Sequence, residues 1–181
     1  MARSLGYLVD AMAIGGGSAG GTLAMIYAYR DAERAPVPIK AVISLVGPAS
    51  FDPRGWFWIK DDFASDESAA SGAAFVSIMT GEQVTVVMMR SGQYQDALKP
   101  ITPTALLTPG APPTLVAFGA LDKVAPLAAS TGLLQALDRQ GIPHDALVFP
   151  SSGHALNRDP KMSHALGVKI DAYLGRYLPL D

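Results

Sequence analysis

Apolar residues fall along this chain in two rhythms. Ile39 to Val46 reads Ile-Lys-Ala-Val-Ile-Ser-Leu-Val, β-branched and apolar almost throughout. A run that short and uniform suits a strand buried on both faces, as in a parallel sheet. Ala11 to Gly15, Thr114 to Gly119 and Asp145 to Phe149 are short apolar runs of the same kind. The second rhythm is helical. Ala19 to Glu33 predicts a helix that ends before Pro36 and Pro38, which cannot continue it. Leu127 to Gln140 places Leu133, Leu134 and Leu137 at core spacing, with Gly141 at its end. Ser163 to Leu178 sets Leu166, Ile170, Tyr173, Leu174 and Tyr177 on one face. The order strand-helix, strand-insert, strand-helix, strand-helix predicts an α/β fold: a mostly parallel sheet flanked by helices, with right-handed crossovers.

The alternation breaks between about residues 49 and 112. Phe51, Trp56, Phe57, Trp58 and Phe63 form an aromatic cluster among charged residues. Ser68 to Met79 and Gln83 to Tyr94 predict helices, although Val84 to Met89 would also suit a strand. Pro100, Pro103, Pro109, Pro112 and Pro113 then mark an irregular return path. The expectation is a single domain over residues 1–181 with a lid-like insert at 49–112.

Composition narrows the function classes. The chain has 181 residues, 49% hydrophobic and 17% charged, which supplies a buried core and argues against disorder. A net charge of -2 gives no reason to expect nucleic acid or an anionic membrane as partner. Without cysteine there is no disulfide and no thiolate metal site. Three histidines with no His-x-His or His-x-x-x-His spacing argue against a metal, and no cofactor is expected. No apolar run reaches the length of a membrane span, and a cytoplasmic location is the expectation.

The chemistry concentrates in Ala-Ile-Gly-Gly-Gly-Ser-Ala-Gly-Gly, residues 13–21. Gly16-x-Ser18-x-Gly20 between a strand and a helix matches a nucleophile elbow. The serine sits at a sharp, strained turn. The residues two before and two after it pass close together, so a Cβ there would clash. The helix that follows aims its N-terminal N–H groups at developing negative charge. A plain glycine-rich loop would also contain such a serine. A phosphate-binding loop fits less well, because no Gly-Lys-Ser/Thr follows.

A serine hydroxyl needs a base, and the base needs an orienter. Parallel sheets collect sites at the carboxyl ends of their strands. Asp122 lies just after the strand 114–119, and His154 lies just after the strand 145–149. Either could be an ordinary loop residue; a loop aspartate is often a turn or cap. His144 falls at the opposite end of the sheet, His164 in the final helix, and Asp145 and Asp159 are weaker acids for the role. Three residues of the needed types, in the order Ser, Asp, His, occur where the topology puts an active site.

Residues 15–24, 112–126 and 150–156, which carry these three motifs, resemble the α/β-hydrolase superfamily. More narrowly they resemble its bacterial esterase/lipase group, which includes hormone-sensitive-lipase-like and acetyl esterases. The resemblance implies Ser18 as nucleophile, His154 as general acid/base, Asp122 as its orienter, and Ala19 N–H as one oxyanion donor. It implies no cofactor and a small-molecule ester substrate. Members of that group carry strands and a His-Gly-Gly-Gly-like oxyanion segment before the nucleophile strand. This chain begins close to that strand, so the expectation is an N-terminally truncated version of the fold. Its Ala11–Gly15 strand would then be a sheet edge, covered or paired in a homo-oligomer.

Trp56, Phe57, Trp58, Phe63, Met79, Met88 and Met89 are placed to line an apolar acyl site or simply to pack the insert. The leading expectation is a serine esterase for short-chain acyl, acetyl-type esters. The alternatives are a weak or inactive hydrolase acting as a binding module, and a peptidase of the prolyl-oligopeptidase type.

Overall fold

The computed structural model describes residues 6, 9–56 and 62–179. Four strands form one sheet in sequence order: β1 (Met12–Gly17), β2 (Ile39–Leu45), β3 (Thr114–Gly119) and β4 (His144–Phe149). All neighbours run parallel. Helix α1 (Ala19–Arg30) follows β1. The insert after β2 carries α2 (Asp66–Thr80), α3 (Val86–Ser91), α4 (Tyr94–Leu98) and α5 (Pro103–Leu106). Helix α6 (Thr131–Arg139) links β3 to β4, and α7 (Pro160–Tyr177) closes the chain.

Successive side chains on a strand point to opposite faces. Val42, Val116 and Phe118 therefore join Met25 and Tyr29 of α1 and Leu133 and Leu137 of α6. Ala41, Leu115, Ala117, Leu147 and Phe149 face the other way, onto Tyr173 of α7. Strand β3 is buried at every position, as its unbroken apolar run predicts. Two tyrosines pin the layers at its start. Tyr29 Oη shares a 2.8 Å hydrogen bond with Thr114 Oγ1, and Tyr173 Oη–H donates to Thr114 O at 3.1 Å. Strand β1 pairs only with β2 among the described residues.

The insert builds its own core. Phe63, Ala69, Val76, Val84, Met89, Tyr94 and Leu98 cluster together, with Phe51, Phe75 and Met88 against them. Met89 is buried there, whereas Met79 is exposed. Trp56 is buried between Phe51, stacked at 6.2 Å, and Phe75, tilted at 5.1 Å. Phe57 and Trp58 lie outside the described residues.

Several boundaries differ from the pattern-based expectation. The helix expected over 83–94 is two helices, because Gly92 adopts φ 81° and closes α3. Residues 86–91 are helical despite their strand propensity, since Thr85 caps the segment by accepting Met88 N–H. The helix expected from Leu127 begins as a 3-10 turn over Leu127–Ala129, and α6 proper starts at Thr131. Helix α7 begins three residues early, at Pro160, whose fixed φ suits a first helical position. Among the described residues no helix is long and apolar enough to cross a membrane, and no group of His, Asp or Glu could hold a metal ion.

Candidate active site

Ser18 follows β1 and makes the turn into α1. Its backbone sits at φ 52°, ψ −127°, a conformation side-chain-bearing residues rarely adopt. Two bonds hold it there: Ser18 N–H donates to Leu45 O at 2.8 Å, and Thr22 N–H donates to Ser18 O at 3.1 Å. Glycines make the turn possible, with one difference from expectation. A Cβ on Gly16 would lie 2.6 Å from the Gly20 carbonyl carbon, but a Cβ on Gly20 would meet nothing. The second tight position is Gly21, where a Cβ would lie 2.6 Å from Ser44 Oγ and 2.9 Å from Gly16 O. The helix start thus rests on β1 and β2 through Gly16 and Gly21. Ala19 N–H opens α1, ahead of Thr22, whose N–H is the first to bond back to the turn, so its own N–H stays free for a ligand.

Asp122 follows β3 and is buried, with 3% of its surface exposed. Its Oδ1 accepts Val124 N–H at 2.8 Å and Ala125 N–H at 2.9 Å, which fixes the loop around the carboxylate. Its Oδ2 lies 2.8 Å from His154 Nδ1. His154 Nε2 lies 2.8 Å from Ser18 Oγ. The structure therefore brings Ser18, His154 and Asp122 into one hydrogen-bonded chain. With Nδ1–H donated to the carboxylate, Nε2 is left to accept the serine proton.

The sheet order makes that contact a reach. His154 follows β4, and Ser18 follows β1, three strands away. At roughly 4.8 Å per strand the gap is about 14 Å. The loop after β4 must run back across the end of β3. Gly119, the last residue of β3, is where it crosses. A Cβ there would overlap the Gly153 carbonyl and lie 2.7 Å from Ser152 O. Leu121 N–H donates to Ser152 O at 3.0 Å, tying the Asp122 loop to the His154 loop.

A second tie lies behind His154. Ser152 is fully buried. Its Oγ–H donates to Asp159 Oδ2 at 2.6 Å and its Oγ accepts Arg158 N–H at 2.9 Å. Asp159 also accepts Ser151 N–H at 3.0 Å. These bonds hold the Asp159 carboxyl below the usual carboxylate range, the Ser152 hydroxyl contributing most. Sequence reasoning weighed Asp159 only as a rival acid. It instead closes the loop that carries the histidine. The readable signal was Asp159-Pro160 at a helix start, seven residues after a serine that ends a strand loop. Gly119 left no comparable signal, because a glycine at a strand end is ordinary. His144 begins β4, where its Nδ1 lies 2.9 Å from Ile142 O, and His164 is exposed on α7. Neither approaches the triad chain.

Known proteins place this geometry. The sequence pattern of the prolyl oligopeptidase family matches residues 3–179. No curated protein sequence matches the chain. Among solved structures, a puromycin-hydrolyzing peptidase of Mycobacterium tuberculosis superposes with TM-score 0.64 at 20% identity, covering 99% of this chain and 24% of that one. An esterase of Thermogutta terrifontis gives 0.62 at 16% identity, covering 93% and 55%. An acetyl ester-xyloside bifunctional hydrolase of Caldicellulosiruptor lactoaceticus gives 0.57 at 17%, covering 90% and 56%. At these identities the likeness is one of fold, the α/β-hydrolase fold. The chain spans between 24% and 56% of the length of these three proteins.

Proposed function

The chain belongs to the prolyl oligopeptidase family of serine hydrolases, and from that premise we propose that it cleaves short-chain acyl, acetyl-type esters through an acyl-enzyme on Ser18. The observation that carries the reading is His154 standing 2.8 Å from both Ser18 Oγ and Asp122 Oδ2.

His154 Nε2 takes the Ser18 proton as Oγ attacks the ester carbonyl carbon. The oxyanion forms beside Ala19 N–H at the start of α1, where the helix dipole favours negative charge. Asp122 holds the imidazolium through Nδ1–H and is itself fixed by Val124 and Ala125 N–H. The carbonyl reforms, the carbon–oxygen bond to the leaving group breaks, and His154 hands its proton to the departing alcohol. A water then attacks the acyl-enzyme and gives its proton to His154; the bond from the acyl carbon to Ser18 Oγ breaks, the acid leaves and His154 returns the proton to Oγ. Esterase-named structural relatives support the ester reading. The family pattern and the puromycin-hydrolyzing relative support a second one, in which the same steps cleave an amide and the leaving group is an amine.

A fluorophosphonate probe tests the site and p-nitrophenyl acetate tests the bond. The expected result is labelling of Ser18 and ester turnover, with Ser18→Ala losing labelling and about 10⁶-fold in kcat. A folded protein that is neither labelled at Ser18 nor active on the ester would refute the reading. Faster turnover of an aminoacyl arylamide than of the matched ester would favour the peptidase.

A further inference from the structure

In a serine hydrolase the leaving group must lie where the histidine can protonate it. Here that is the side of Ser18 faced by His154 Nε2. A cavity of about 710 Å³ opens between the loops after β3 and β4, and His154 is one of its lining residues. Leu121 and Val124 give it apolar lining, and Lys123, Asn157 and Arg158 give it polar lining. Leu121 and Val124 are 56% and 60% exposed, apolar surface that a bound group would cover. Two cations line the cavity, and no carboxylate does among the described residues.

Neither cation is neutralised, and the backbone that carries each is held. Among the described residues neither Lys123 nor Arg158 has a carboxylate partner. The acids nearest in sequence are occupied elsewhere: Asp122 by His154 and two N–H groups, Asp159 by Ser151 and Ser152. Lys123 sits inside the turn that Asp122 closes with Val124 N–H. Arg158 has its own N–H on Ser152 Oγ. The bonds that hold Asp122 and the loop of His154 therefore also fix the backbone that carries both cations.

Resting on Ser18 as nucleophile, we infer that this cavity is the leaving-group pocket and that it selects a departing alcohol or amine bearing a carboxylate. Lys123 and Arg158 hold that carboxylate while His154 protonates the departing oxygen or nitrogen. The acyl carbon's bond to that atom breaks, the acyl group stays on Ser18, and the carboxylate-bearing product leaves neutralised at the reacting atom.

The test compares 4-acetoxybenzoate with its methyl ester, and an N-acetyl dipeptide with a free C-terminus against its C-terminal amide. Rates are normalised to the fraction of Ser18 that a fluorophosphonate labels. In wild type over variant ratios the intrinsic reactivity of each substrate cancels. Lys123→Ala and Arg158→Ala should each lower kcat/KM on the anionic member about three-fold more than on its neutral partner, and the double variant about ten-fold more. Raising salt should narrow the wild-type preference. Discrimination in the ester pair assigns the pocket to a hydroxy acid, and discrimination in the dipeptide pair to an amino acid. Variants that slow both members of each pair equally overturn the inference while leaving the Ser18 reading intact. Absence of Ser18 labelling overturns that reading itself.

Discussion

The sheet and helices α2 to α4 of the insert bury their apolar side chains in separate cores, while Leu106 and Leu107 at the end of α5 join the sheet's. On the sheet, β3 sends alternate residues to two faces, and α1 and α6 cover one while α7 covers the other. The insert packs Phe63, Val76, Met89 and Tyr94 against one another, all from residues between β2 and β3. The difference assigns roles. Ser18, Asp122 and His154 all follow strand ends of the sheet; backbone bonds hold Ser18 and Asp122, and His154 is held by its side-chain bonds to both. Nothing in that chain of bonds passes through the insert's core. The geometry of the candidate site should therefore depend on the sheet and its loops, and the core of α2 to α4 should be separable from it.

Gly119 offers the hardest break of that comparison. It belongs to the sheet and touches no catalytic side chain, yet the His154 loop crosses directly over it. Gly119→Ala puts a methyl group into the Gly153 carbonyl, and backbone there cannot yield as a flexible side chain would. The loop must lift, carrying His154 away from Ser18. A displacement of that kind costs on the order of 10²-fold in kcat, with about 1–3 kcal/mol of stability lost to overpacking. Steady-state kinetics with denaturant melts check both. Gly20→Ala, two residues after Ser18, meets no atom and serves as the control. Equal activity in the two variants would show that the loop does not depend on close approach at β3.

Truncations in the two cores sharpen the contrast. Leu137 and Met89 are both almost fully buried, one under the sheet and one in the insert. Either change to alanine should cost about 2–5 kcal/mol in its own core. Leu137→Ala should lower the midpoint at which fluorophosphonate labelling of Ser18 is lost. Met89→Ala should raise hydrogen exchange across α2 to α4 and leave that midpoint near wild type. A shared fall in both readouts would mean that the two cores unfold as one unit.

What was legible in the sequence divides along the same line. The strands are apolar runs whose ends carry the candidate site, so the meeting of Ser18, Asp122 and His154 could be read from motif, residue type and position at the strand ends. Strand β3 is legible at Thr114–Gly119 from its unbroken apolar run. The insert's pattern was ambiguous, because Val84 to Met89 is β-branched and apolar in sequence while a cap at Thr85 and a left-handed Gly92 make residues 86–91 a helix. Trp56 joined the insert's packing, which an aromatic among charged residues does not announce. Contacts between loops left least trace. The crossing at Gly119 and the Ser152–Asp159 tie depend on which strand ends lie side by side, and a linear pattern does not state that.

That tie gives the smallest and most specific effect. Asp159 accepts bonds from Ser152 Oγ–H and Ser151 N–H, and they hold its folded pKa below the ordinary value of about 4. A carboxyl with a depressed folded pKa contributes stability above its unfolded pKa and loses it as pH falls through the folded one. Asp159→Asn keeps the shape but not the charge. At pH 7 the variant should melt at lower urea than wild type, and the two midpoints should converge as pH drops below about 4. Because the tie anchors the loop of His154, kcat at pH 7 should fall by a few-fold with KM nearly unchanged. Met89→Ala, acting in the other core, should show a urea deficit of constant size across the same pH range. A deficit in Asp159→Asn that persists to pH 2.5 would mean that Asp159 holds the loop by shape alone, and the contrast between a charged tie on the sheet and an apolar core in the insert would fail at that point.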